Sequence, residues 1–151
     1  MKLFLQYRLT GRGWAEAVFE QDPKRIEMIA SYLHDSLEEL TRAAIALQKG
    51  HKQAVIVFMD EPGEHQVHIQ NEKGVLEIEV RWYSDWASWN MVGSDQYKVV
   101  EQFTTSVSRF RHQVLEVLSK LYTELGPAEY KKQWAAHDFP TDSYHQLSAM
   151  K

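Results

Sequence analysis

Between Gln53 and Phe103 the chain breaks into short segments whose apolar residues recur at every second position, each closed by turn chemistry. Period two is the side-chain repeat of a β-strand, and strands joined by only a few residues must run antiparallel. In "QAVIVFM" both faces are apolar, with Val55, Val57 and Met59 against Ala54, Ile56 and Phe58. That is the pattern of a strand covered on both sides. Pro62 and Gly63 turn the chain, and "HQVHIQ" then sets His65, Val67 and Ile69 against Gln66, His68 and Gln70. After "NEKG", Leu76, Ile78, Val80 and Trp82 alternate with Glu77, Glu79 and Arg81, and Tyr83 points away from Trp82. "QYKVVEQF" adds a last strand with Tyr97, Val99 and Phe103 inward. The expectation is a four-strand meander interrupted by a loop from Ser84 to Asp95.

The flanks add a hairpin and two long helices. Leu3, Leu5, Tyr7 and Leu9 share one side of "KLFLQYRLT", "GRG" permits a tight reversal, and "WAEAVFEQ" runs back. From Asp22 to Gly50, Ile26, Ile29, Leu33, Leu37, Leu40, Ala44 and Leu47 recur at spacings of three and four. With Asp22 as N-cap, Pro23 in the first turn and Gly50 as the stop, this predicts one long helix. Val107, Phe110, Val114, Val117, Leu118, Leu121 and Leu125 predict a second, capped by Thr105 or Ser106 and ended at Gly126–Pro127. Two short helices follow, the last after Pro140.

The order ββαββββα predicts an α+β two-layer sandwich: one antiparallel sheet of about six strands, packed by two long helices, with short C-terminal helices. No repeat or composition break divides the chain, so residues 1–151 are expected to form a single α+β domain. At 151 residues it is long enough to hold a core without staples.

Composition removes several chemistries. With no cysteine there is no disulfide, thiolate metal site or cysteine nucleophile, which suits a reducing compartment. The start, "MKLFLQYRLTGRGW", lacks the unbroken apolar stretch of a signal peptide, and no apolar run nears the ~20 residues that span a bilayer. A cytoplasmic location, away from membranes, is therefore expected. Seventeen basic against twenty-one acidic residues give a net charge of -4 with no basic block, so nucleic acid is not an expected partner.

Candidate catalytic groups are few. His65 and His68, three apart on a strand, face opposite ways and cannot share an ion. His34 and Glu38, four apart on the expected helix, can pair, but spacing supplies no further metal ligand. Glu16, Glu20, Glu77 and Glu79 lie on polar strand faces, where solvated carboxylates are the ordinary case. There is no G-x-S-x-G elbow and no phosphate loop; "GRG" precedes a strand rather than a helix. His137 and Asp138 sit in a turn, where Asp138 or Thr141 is expected to cap the last helix while Trp134 and Phe139 pin the tail. No catalytic residue, metal or cofactor is expected.

The aromatic stretch "RWYSDWASWNMVGSDQY" remains. Trp and Tyr bury much area while losing few rotamers, and loops on a rigid scaffold commonly carry binding. Tyr83, Asp85, Trp86, Trp89, Asn90, Met91 and Asp95 are the expected partner-binding residues. The competing expectation is that this loop folds back to close the sandwich edge.

At "GWAEAVFE", "DEPGEHQVHI" and "YKKQWAAHDFPTDSYHQL" the sequence resembles a group of uncharacterised cytoplasmic bacterial proteins of about 150 residues. That resemblance implies no activity and transfers no functional residue. A small acidic α+β build is also similar, in architecture alone, to the immunity proteins of bacterial toxin systems. The resulting expectation is a non-catalytic protein-binding module, possible in an immunity-like form that neutralises a partner toxin. The alternatives are an enzyme or small-ligand protein with a pocket between sheet and helices, and a homodimer joined through the sheet.

Overall fold

The computed structural model describes residues 2–150. Two antiparallel sheets and four helices make an α+β fold. β1 (Phe4–Gly11), β2 (Trp14–Gln21) and β3 (Lys24–Ser31) form the first sheet, in that order. Helix α1 (Ser36–Gln48) leads into the second, β4 (Gln53–Met59), β5 (Glu64–Glu72), β6 (Val75–Tyr83) and β7 (Lys98–Ser106), again in chain order. Helices α2 (Val107–Glu124), α3 (Gly126–Trp134) and α4 (Thr141–Ala149) complete the chain.

The four strands pair in chain order as expected, but β4, whose two apolar faces suggest a strand in the middle of a sheet, is an edge strand with Val55 exposed. Ile56, Phe58, Val67, Ile69, Leu76, Ile78, Val80 and Phe103 all enter the core, while Val55, Gln70 and Glu77 lie exposed on the opposite face. The expected single sheet of about six strands is instead seven strands in two sheets, and the difference lies in residues 22–31. Asp22–Pro23 is not a helix start but the turn of a second hairpin, and β3 pairs with β2 from Gln21↔Lys24 to Trp14↔Ser31. The segment carries both periods. Ile26 and Ile29 suit a helix, but Ile26, Met28 and Ala30 also alternate, and a neighbouring strand with an unpaired edge decides for the sheet. The N-cap moves to Asp35, whose carboxylate accepts the Glu38 N–H at 3.4 Å. Gly50, at φ +92°, follows the helix as expected.

The two sheets share one core. Phe19 of β2 stands edge-on to Phe58 at 6.4 Å and beside Phe103 at 6.2 Å, locking the first sheet onto the inner face of the second. The β2–β3 turn also clasps β7, with the Gln21 amide donating to the Thr104 carbonyl at 2.7 Å. Edge strand β4 is covered by the start of α1, where the Ser36 hydroxyl donates to the Val57 carbonyl at 2.6 Å. Ser106 caps α2, accepting the Arg109 N–H at 3.0 Å. Gly126–Pro127, expected only to end α2, also opens α3.

A bulge in β7 overturns part of the expected facing. Val80 pairs with Glu101 and Arg81 with Val99, leaving Val100 as the extra residue. Past it the parity flips, so Val99 lies beside Arg81 on the outer face, and both Tyr97 and Val99 are exposed instead of inward. Tyr83, expected to point away from the core, is on the outer face but buried, while Trp82 is only half-buried, 4.8 Å from the His65 ring.

Candidate functional site

The loop between β6 and β7 stands over the outer face of the second sheet. Asp85 starts its turn: the carboxylate accepts the Trp86 N–H at 2.8 Å and the carbonyl accepts the Ala87 N–H at 3.0 Å. Ala87–Trp89 then form one 3₁₀ turn, which Asn90 closes at φ 60°, a conformation Asn tolerates well. The Met91 N–H returns to the Trp86 carbonyl at 2.9 Å. The result is a knot of short-range bonds between Asp85 and Met91.

Two anchors fix that knot to the sheet. The Trp86 indole N–H donates to the Asp60 carbonyl at 2.8 Å, on the neighbouring β4–β5 turn. Ser88 donates twice to Glu64, through its hydroxyl at 2.7 Å and its N–H at 3.2 Å. Glu64 itself is fully buried, and the Gln66 amide donates at 2.6 Å to its Oε2, the oxygen that also accepts the Ser88 N–H. A buried carboxylate is tolerated only when hydrogen bonds replace the water it has lost, and three donors reach this one. From Gln66 the polar contacts continue to His68 at 2.8 Å, then 3.3 Å to Arg81, which also binds Glu79 at 2.6 Å. Burial, then the Arg81 charge, hold His68 below its ordinary pKa and so favour the neutral ring. The Arg81 guanidinium lies 4.2 Å from the Tyr97 ring, and Tyr97 packs at 5.5 Å on Tyr83, whose hydroxyl donates to the Ser94 carbonyl at 2.8 Å.

The expected partner-binding residues thus divide by role. Tyr83, Asp85 and Trp86 hold the loop. Trp89, 48% exposed, leans edge-on against Trp86 at 4.9 Å, and Met91 is 59% exposed. Asn90 and Asp95 are exposed beside them. Tyr97, just before β7, and Val99 and Val100, on it, are also exposed. Sequence reasoning missed the support beneath: Glu64, Gln66, His68 and Ser88. Long hydrogen-bonding residues at every second position of β5 are the only hint, and the same hint marks any solvated strand face.

A second group gathers on the helical side, around a cleft of about 690 Å³. Asp35 and His137 stand 3.8 Å apart there. Glu38 binds Arg42 at 2.5 Å and accepts the Ser143 hydroxyl at 2.6 Å. Burial raises the Asp35 carboxyl above its ordinary pKa, against the lowering effect of His137. His34 meets Glu39, at 2.9 Å, rather than the expected Glu38. Asp138 pairs with Lys131 at 2.8 Å, and α4 begins with no side-chain cap, so neither Asp138 nor Thr141 plays the expected capping part. Trp134 and Phe139 are buried, as pins for the tail should be. Among the described residues, no three His, Asp or Glu side chains converge to hold a metal ion, and no helix is long and apolar enough to cross a membrane.

Comparison with protein-family models, with curated proteins and with solved structures found no match.

Proposed function

We propose that this chain is a non-catalytic protein-binding module that meets its partner through the β6–β7 loop, with Trp89 and Met91 as anchors. One observation carries the reading: two large apolar side chains stand exposed on a turn whose base is bonded to a buried carboxylate. Ordering a loop and its side chains is a main cost of association, and a loop already fixed by folding avoids it. An exposed Trp on such a base has the character of an interface hot spot. Asp85, Asp95 and the net charge of -4 favour a partner with basic character. Masking a toxin, as immunity proteins do, is one role such a module can fill.

The test is capture of a partner from host cells by the purified chain. Trp89→Ala keeps the native circular dichroism and melting curve while capture falls by more than about tenfold, the loss expected of a hot spot. Capture unchanged in that variant overturns the reading. Trp86→Ala is a different perturbation, because it removes the Asp60 anchor and loosens the loop.

A second reading, a small-ligand or acid–base site, rests on Asp35 and His137 facing each other at the cleft between α1 and the α3–α4 turn. A thermal-shift screen of small polar molecules checks it: a stabilising hit lost in His137→Ala supports it, and no hit rejects it.

A further inference from the structure

β1 is one of the two edge strands of the first sheet. Along an antiparallel strand, alternate residues send both backbone groups to alternate sides. The Leu5 N–H donates to the Gln113 side-chain Oε1 at 2.9 Å, and the Leu3 carbonyl accepts from Arg109 Nε at 2.8 Å, both partners being side chains of α2. Odd-numbered residues of β1 therefore face away from β2. The same parity turns outward the carbonyl of Leu5, both backbone groups of Tyr7 and the N–H of Leu9, and no described residue bonds them. They face a groove of about 740 Å³ between β1 and α2, lined by apolar groups that include Phe4, Val117, Leu121 and Leu125. Helix α2 thus covers the first part of the edge and α3 meets its far end, where the Gly13 N–H donates to the Gln133 carbonyl at 2.9 Å; the stretch from Leu5 to Leu9 lies between them.

We propose that this groove takes an extended segment of a protein partner, added beside β1 as a fourth strand of the first sheet. Two observations select that occupant. The outward N–H and C=O groups left between the α2 and α3 contacts stand in strand alternation, the spacing of another extended backbone, which is the mode of β-strand addition. The charged side chains at the groove balance in sign, Arg8, Arg109 and Lys120 against Glu16, Glu116 and Glu124, with Arg8 3.5 Å from Glu16 and Arg109 4.6 Å from the Phe4 ring. An uncharged, apolar segment matches such walls. A second copy does not: Leu5 to Leu9 span roughly 17 Å of strand, flanked by α2, too little for the ~1,200–2,000 Å² of a stable interface. No residue of the β6–β7 loop takes part, so this surface stands or falls separately from the proposed function.

The experiment selects a phage-displayed library of random seven-residue peptides on the full chain and synthesises the tightest binder. Binding is expected to shift the amide resonances of Tyr7 and Leu9 and to slow their hydrogen exchange. N-methylation at alternate peptide positions should weaken affinity by at least tenfold, and at the intervening positions by less than threefold. Leu9→Pro, which removes an outward N–H and no bond to β2, should also weaken binding at least tenfold. If that variant fails to fold, the N-methyl series on the unmodified chain decides alone. No binder, resonance shifts elsewhere, indifference to N-methylation, or a dimer joined through β1 in sedimentation would each overturn the proposal.

Discussion

Glu64→Ala tests whether the presenting loop is held from below. Glu64 is fully buried and accepts from the Ser88 hydroxyl, the Ser88 N–H and the Gln66 amide. Truncation affects these donors unequally. Ser88 is exposed and recovers its bonds from water, whereas Gln66 is buried and keeps an unpaired amide. An orphaned buried donor costs about 1–3 kcal/mol, and the lost side-chain volume about 1 kcal/mol more, for a total of about 2–4 kcal/mol. Removing the cost of burying a carboxylate offsets part of this, so about 2 kcal/mol is the expected net loss. With a urea m-value of about 2 kcal/mol/M, the unfolding midpoint falls by about 1 M. Hydrogen exchange gives the local readout: amides of Trp86 to Met91 should exchange at least tenfold faster, while those of β5 and β6 follow only the global change. Partner capture should weaken although Trp89 and Met91 are intact. A midpoint shift under about 0.25 M, or unchanged loop exchange, would refute the claim that this carboxylate organises the loop.

Three further outcomes are expected. Phe19→Ala should cost about 3–5 kcal/mol, roughly 10–15 °C in Tm, because Phe19 joins both sheets through Phe58 and Phe103; a loss under about 1 kcal/mol would mean the sheets are held otherwise. His65 is pushed down to about 4, chiefly by burial, so the fold favours the neutral ring. Its contribution is whole above its ordinary 6.5 and is lost as pH falls from there through about 4, at most about 3 kcal/mol; thermal melts across that window should fall more steeply for the native chain than for His65→Gln. His34, raised chiefly by its bond to Glu39, acts in the opposite sense: its contribution is full below 6.5 and disappears as pH rises through its folded value. Melts of His34→Gln and the native chain should therefore converge above neutrality, and a gap that widens there would contradict the pairing.

Local pattern suffices for whatever follows from one strand or helix and its turns. The meander was legible because Leu76, Ile78 and Val80 reach one face at period two, and a one-residue slip would expose them all. The Leu37–Leu47 face of α1, the Gly50 stop and the Ser106 cap were equally local. Tertiary structure decided the cases where two local answers were both acceptable. Residues 24–31 satisfy a helix and a strand, and pairing along the whole of β2 chose the strand. The bulge at Val100 is set by how β7 meets β6, and it reversed the facing of Tyr97 and Val99. The loop was legible as a cluster of rings, but the division between anchors and displayed groups was not. Trp86 and Trp89 are the same residue type three positions apart, and only Asp60 and Glu64, brought alongside by folding, make one a fastening and leave the other facing solvent. The cleft of Asp35 and His137, and the open edge of β1 beside α2, join positions about a hundred residues apart. Hydrophobic period specifies which face of an element is buried; it carries no information about which distant polar group a given face will meet.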